Sequence, residues 1–383
     1  MGCLDRSAFG GPASLSSLAT AGLSIITLNR DSLREYFITA VPMGVESCDS
    51  LFRRTGDAIR KLGDSIEILS AESLGVSSAD GAAKRMQHSM ADGQGLPMGW
   101  VESSGASNLY GVHVWAAAGG SVQHLRHGGR IVGSLFEDQY ARYCRVVGLL
   151  PADASHPRAD QASEVFRQME GILQGGRMDF LDVFRTWFYN DDILGWYRDF
   201  NGVRSQFFRD RGVPGKLLPA STGVDGRNGV GAALTAGLIA VKPKGGGVKV
   251  SDVLSPLQPP APSYGSSFSR AVEVETPDHR RLYVSGTASI DRDGKTVFVG
   301  DCAAQVRRTM EVVQAILESR GMDWSDVVRS LAYFKQPEDA PLFGRYVADA
   351  ALPRFPAIVL GNGICRDDLL FEIEVDAIKP SGS

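Results

Sequence analysis

Three acids stand at alternate positions near the C-terminal end of the chain, Glu372, Glu374 and Asp376, interleaved with Phe371, Ile373, Val375 and Ala377. Residues two apart share a face of a strand, so this spacing predicts one apolar face and one face carrying three carboxyls. Such a face can do proton chemistry if it is desolvated. Burial and like-charge repulsion both raise a carboxyl pKa, which leaves a proton available near neutrality for general acid catalysis. A solvated sheet face is the ordinary alternative. Seven residues before Glu372 stands Cys365, either a site thiol or a buried structural cysteine. The adjacent Arg366 would help a thiolate, but neighbours in a strand point to opposite faces.

A second group could receive a carboxylate. Tyr197 and Arg204 in "WYRDFNGVR" are seven apart, about two helical turns, and share one helix face. Arginine pairs a carboxylate through two parallel N–H groups, which lysine cannot do. A surface arginine beside a core tyrosine is the alternative. In "YVSGT", Gly286 lets backbone approach a ligand closely, and Ser285 and Thr287 offer hydroxyl donors. Phe268 and Tyr283 are candidates for an aromatic wall, with core packing as the alternative. Arg185 has a counterpart, Arg329, in an internal repeat, which points to a structural pair.

That repeat defines the elements that position these residues. "ILQGGRMDFLDVFRTWFY" (172–189) aligns without gaps on "ILESRGMDWSDVVRSLAY" (316–333). Each copy begins in an amphipathic helix, passes a glycine and enters a strand. A further helix follows, and each copy closes on a strand ending in Lys-Pro, at residues 242–243 and 379–380. Aligning those endings sets Thr235 against Glu372, Gly237 against Glu374 and Ile239 against Asp376, so the repeat exists without its acids. A fainter copy precedes both, with strands in "EYFITAVPMG", "SIEILSAESLG" and "YGVHVWAAA" and helices in "SCDSLFRRTGDAIRKLG" and "DGAAKRMQHSMAD".

The expected architecture is α+β: tandem units, each a mixed sheet with two helices on one face, arranged as a pseudo-trimer. The bounds are 1–22 for a flexible leader, 23–118 for a degenerate unit and 119–243 for a second unit. A Gly/Pro-rich linker follows at 244–264, and 265–383 forms the unit with the main site. The chain of 383 residues has a net charge of -4 and no basic stripe, which argues against a nucleic-acid or anionic-membrane partner. Its five scattered cysteines form no CxxC pair and read as reduced thiols in a cytoplasm. No Walker loop, Rossmann fingerprint, zinc-spaced Cys/His set or GxSxG elbow occurs, so no nucleotide, flavin or metal cofactor is expected.

The order of "SSFSRAVEV", "RLYVSGTASID", "DCAAQVRRTMEVVQAIL", "DVVRSLAYF" and "LLFEIEVDAI" resembles the RidA/YjgF family, small α+β subunits that form trimers with ligand pockets between subunits. "FRTWFYNDDILGWYRDFNGVRSQFF", "PAPSYGSSFSRA", "VSGTAS" and the strand after Cys365 are similar to stretches of the chorismatases (FkbO-type enzymes). That resemblance implies cleavage of the enolpyruvyl ether of chorismate, with Glu372 as general acid and Cys365 beside the ring, steering the product toward a hydroxybenzoate. It implies a small carboxylate-bearing substrate and either a monomeric pseudo-trimer or a homo-oligomer. RidA-like enamine or imine deamination is the alternative, and a non-catalytic small-ligand binder is another. In the ordinary RidA pattern an arginine follows Pro-Ala in the last unit, but "FPAIVLG" has Ile358 there.

Overall fold

The computed structural model describes residues 12–63, 65–75, 81–91, 95–103 and 110–381. Among them the chain forms three six-stranded sheets, each with two helices. The first contains β1 (Ser14–Thr20), β2 (Leu23–Asn29), β3 (Arg34–Ala40), β4 (Ile66–Leu74), β5 (Met98–Val101) and β6 (Gly111–Ala118). Its helices are α1 (Cys48–Leu62) and α2 (Ala82–Ala91). The second contains β7 (Val122–His127), β8 (Arg130–Glu137), β9 (Ala141–Leu149), β10 (Val183–Asn190), β11 (Ala220–Asp225) and β12 (Leu234–Pro243). It carries α3 (Arg158–Gly175) and α4 (Ile193–Asp210). The third contains β13 (Lys249–Val253), β14 (Ala271–Glu275), β15 (His279–Ala288), β16 (Val327–Phe334), β17 (Ile358–Gly361) and β18 (Phe371–Pro380), with α5 (Cys302–Ser319) and α6 (Pro341–Asp349).

Numbered one to six within each sheet, the strands run 1-2-3-6-4-5 in all three. Strands four and five pair in parallel, and every other pairing is antiparallel. Local chemistry explains the repeated Met-Asp-x-x-Asp-Val. Asp179 with Asp182, and Asp323 with Asp326, close matching capping boxes on the single 3-10 turn that feeds β10 and β16. These aspartates fix a turn. α5 starts on Asp301, whose side chain accepts the Ala304 N–H at 3.0 Å.

Two of the expected bounds move. β1 falls inside the stretch read as a leader, and β13 inside the stretch read as a linker. Both are sheet-edge strands with one ladder partner and little buried surface, so their sequences, SLSSLAT and KVSDV, carry no clear alternation. Residues 1–11 of that leader lie outside the described residues.

The outer face of each sheet packs on its own helices, and the inner faces of all three meet in one shared core that includes Trp115, Phe136, Trp187 and Tyr333. Phe371, Ile373, Val375 and Ala377 of β18 pack toward α5, as the alternation requires. Its acids therefore face inward, among the other sheets. No helix among the described residues is long and apolar enough to cross a membrane.

Candidate active site

The solvated alternative for the three acids does not hold: Glu372 is 4% exposed, Glu374 0% and Asp376 8%. Each has a different environment. Glu374 accepts hydrogen bonds from Arg185 Nη2 at 2.8 Å, Arg329 Nη1 at 2.7 Å and Trp187 Nε1 at 2.9 Å. Burial alone would raise its pKa, but Arg329 and Arg185 outweigh burial and hold it below the usual range. The repeat-related arginines are thus a structural pair converging on one carboxylate. Asp376 is pushed up by burial, partly offset by Arg329, and faces a cavity between the three sheets together with Glu72, His113 and Arg145.

Glu372 opens instead into a cleft of about 580 Å³, mouth included, between the second and third sheets. Burial first, and the neighbouring Glu374 second, push its carboxyl up to about 8 against Arg185, Arg270 and Arg366. Gly286 of β15 forms the floor beneath it. A Cβ at Gly286 would overlap Glu372 Oε1 and stand 3.2 Å from Thr222 Cγ2.

Of the residues singled out in the sequence, Glu372, Cys365, Tyr197, Arg204, Gly286 and Phe268 line this cleft. Ser285, Thr287 and Tyr283 do not. A bulge between Val284 and Thr287 breaks the alternation of β15, setting Thr287 opposite Ile373 and Ala288 opposite Glu372. Ser285 Oγ accepts the Ser221 N–H at 2.8 Å and donates to the Ser269 carbonyl at 2.5 Å, stitching two sheets together. Thr287 Oγ1 donates to the Ser285 carbonyl at 2.8 Å. Tyr283 faces the central cavity, its ring 4.9 Å from that of Phe184.

The cleft also holds residues that the sequence reading missed: Ser221, Tyr264, Ser266 and Arg270. Arg270 directly precedes β14, whose own residues alternate apolar side chains with Glu273 and Glu275, so no local pattern marks it. With Arg204 and Arg366 it brings three guanidiniums to the cleft. Among the described residues none of the three forms an ion pair with a carboxylate. Arg204 is 2% exposed and Arg270 4%, yet Arg204 Nε and Arg270 Nη2 have no hydrogen-bond partner. Their other bonds go to neutral groups: Arg204 Nη2 to Asn201 Oδ1 at 2.7 Å, and Arg270 Nε to the Pro259 carbonyl at 2.9 Å. Arg366 Nη1 donates to the Gly294 carbonyl at 2.7 Å. Burial lowers the pKa of both Arg204 and Arg270. A desolvated cation without a counter-ion costs on the order of several kcal/mol until an anion arrives.

Aromatic faces complete the lining. The Arg270 guanidinium lies 5.3 Å from the Tyr264 ring centre and 5.6 Å from that of Phe268. Burial, then the Glu372 charge, pushes the Cys365 thiol up to about 12, so it meets the cleft uncharged, with the Tyr197 hydroxyl as a neighbour. Among the described residues no group of three His, Cys, Asp or Glu side chains is placed to hold a metal.

The other two seams differ. Strand registers pair Tyr333 with Glu372, Tyr189 with Thr235 and Leu74 with Gly111, so the place of Glu372 is taken by Thr235 in the second sheet and Gly111 in the first. A Cβ on Gly111 would be 3.0 Å from Ile358 Cδ1, and one on Gly148 would overlap the Met98 carbonyl, so strand backbone and side chain close both places. The position of Ile358 on strand five, opposite Leu331, is held by Thr222 opposite Trp187 and Gly99 opposite Glu72. None of the three is an arginine.

The Endoribonuclease L-PSP family model matches residues 260–379. A chorismatase of Streptomyces hygroscopicus is 29% identical over 213 residues, covering 50% of this chain and 60% of that protein's length. A 3-hydroxybenzoate synthase of the same organism is 26% identical over 259 residues, 61% of this chain and 73% of the relative. A crystal structure of a chorismatase superposes with a TM-score of 0.59 at 22% identity, covering 82% of this chain and 94% of that one. It shares the fold.

Proposed function

This chain belongs to the Endoribonuclease L-PSP family, and from that premise we propose that it cleaves the enolpyruvyl ether of chorismate or a similar cyclic dicarboxylate, with Glu372 as the general acid. The observation that carries this reading is one buried carboxyl, pushed up to about 8, facing a cleft with three guanidiniums that have no carboxylate partner among the described residues. The guanidiniums suit the two carboxylates of such a substrate. The carboxyl suits its proton demand.

Glu372 gives its proton to the terminal carbon of the enol ether, producing an oxocarbenium ion. Water adds to that cation, and the Glu372 carboxylate takes a proton from it. The hemiketal collapses to pyruvate and the ring alcohol, so one water is consumed and the donor is regenerated. Cys365, an uncharged thiol in the same cleft, is read as a group beside the ring that steers the product toward a hydroxybenzoate. The name of the second relative, a 3-hydroxybenzoate synthase, supports this. The positions equivalent to Ile358 hold no arginine in any sheet, which disfavours the ordinary RidA deaminase. The protein is also read as cytoplasmic and as a single-chain counterpart of the RidA trimer.

Binding is tested apart from turnover. Chorismate should raise the melting temperature of the Glu372→Gln variant, and Arg204→Met or Arg270→Met should abolish that rise. No stabilisation of Glu372→Gln by chorismate would remove chorismate as the ligand.

A further inference from the structure

Thr222 lies on β11 of the second sheet, next to the cleft-lining Ser221, and its side chain crosses the seam to the third sheet. Its Oγ1 accepts a hydrogen bond from Arg185 Nη2 at 2.8 Å and another from the Gly286 N–H at 3.1 Å. Its proton goes to the Glu374 carboxylate. A hydroxyl has one donor and two acceptor positions, so all three are engaged. Of the two donors that Thr222 holds, Gly286 lies beside Glu372 and Arg185 acts on it through its charge. Gly286 is directly under its Oε1, and Arg185 exerts the largest opposing effect of the cations around it. The charged and titratable groups around Glu372 are Glu374, Arg185, Arg270, Arg366, Cys365 and Tyr197, with Arg204 and Tyr264 in the same cleft.

We propose that Thr222 is a positioning residue for the proton donor: it captures the Gly286 N–H that would otherwise turn to the Glu372 carboxyl. This rests on the reading of Glu372 as the acid. A buried N–H that loses its acceptor takes the nearest one available, because leaving it unpaired is costly. Glu372 Oε1 is the atom nearest the place a Gly286 side chain would take. A hydrogen bond to the ionised form of a carboxyl favours that form, so without the Thr222 hydroxyl the donor gives up its proton at lower pH. The cleft would then hold a carboxylate where the chemistry calls for an acid.

The test is an infrared pH titration of the Glu372 carboxyl band, assigned by subtracting the Glu372→Gln spectrum, in wild type, Thr222→Val and Thr222→Ser. The pH profile of kcat/KM for pyruvate release is recorded beside it. Thr222→Val should lower the Glu372 midpoint by about one unit or more and move the alkaline fall of kcat/KM with it. KM should stay within about twofold, and Thr222→Ser should restore both curves. If Val does not fold, Thr222→Ala removes the same hydroxyl. A hydroxyl-free variant that titrates like wild type overturns the proposal, as does a Ser variant that behaves like Val. The titration needs no turnover, so absence of pyruvate from the wild type counts against the proposed reaction while the spectrum still decides the role of Thr222.

Discussion

Glu372 and Glu374 share a strand face, and their surroundings drive them to opposite charge states. Glu374 is tied to Arg185, Arg329 and Trp187 and stays ionised, while Glu372 faces the cleft and is pushed up to about 8. The linkage gives a sign. A group whose folded pKa is raised favours the folded state most below its unfolded value near 4.5, and that advantage is lost as pH rises through about 8. Glu372→Gln should therefore melt close to wild type near pH 5 and above it near pH 9, by an amount on the order of a few kcal/mol. Urea unfolding at the two pH values checks this, and equal stabilities at pH 9 would count against a buried, neutral Glu372. Cys365→Ala should keep pyruvate release within about threefold but change the ratio of ring products, read by chromatography. The acids and the thiol were legible in the sequence because strand alternation and spacing reveal them. Arg270 was not, because nothing local shows that an arginine at the head of a strand will lack a counter-ion.

At the level of elements, Gly286 shows how one strand makes room for chemistry. Its missing Cβ leaves space for Glu372 Oε1, and the bulge beside it turns Ser285 and Thr287 away from the cleft. Gly286→Ala should displace the carboxyl and lower kcat by about a hundredfold or more, while far-ultraviolet circular dichroism stays unchanged. A fully active alanine variant would contradict this placement. The repeat foresaw the register: the gapless alignment of 172–189 on 316–333 is the alignment that the ladders give, with Thr235 opposite Tyr189 and Glu372 opposite Tyr333. The bulge was not foreseeable, because alternation is a two-residue rule and one inserted residue reverses every later assignment. Ser285 and Thr287 were misassigned for that reason, while Tyr283, which precedes the bulge, pairs with Asp376 and so faces the central cavity. β1 and β13 were missed because edge strands with little buried surface carry almost no hydrophobic pattern.

At the level of the whole molecule, the three sheets are joined by ion pairs as well as by the shared apolar core. Arg30 pairs with Glu35 at 3.0 Å, with Asp278 at 3.1 Å and with Asp138, and Arg281 pairs with Glu35. Residues from all three sheets thus meet at one knot. Burial works against Glu35, but Arg281 and Arg30 hold its carboxyl down at about 2. Its folded pKa is depressed, so its contribution is present above the unfolded value and lost as pH falls from about 4.5 toward 2. Arg281→Met leaves Glu35 short of a partner and should destabilise the chain by about 3–5 kcal/mol at neutral pH, measured by urea unfolding. That knot could not be read from the sequence, since Arg30, Asp138 and Asp278 lie in loops far apart in the chain. The pyruvate assay with chorismate, comparing wild type with Glu372→Gln, tests the central claim most directly. Pyruvate from the wild type, lost in the glutamine variant while chorismate still binds, is the predicted result. Equal release from both proteins, or none from the wild type, would contradict Glu372 as the proton donor of an enolpyruvyl cleavage.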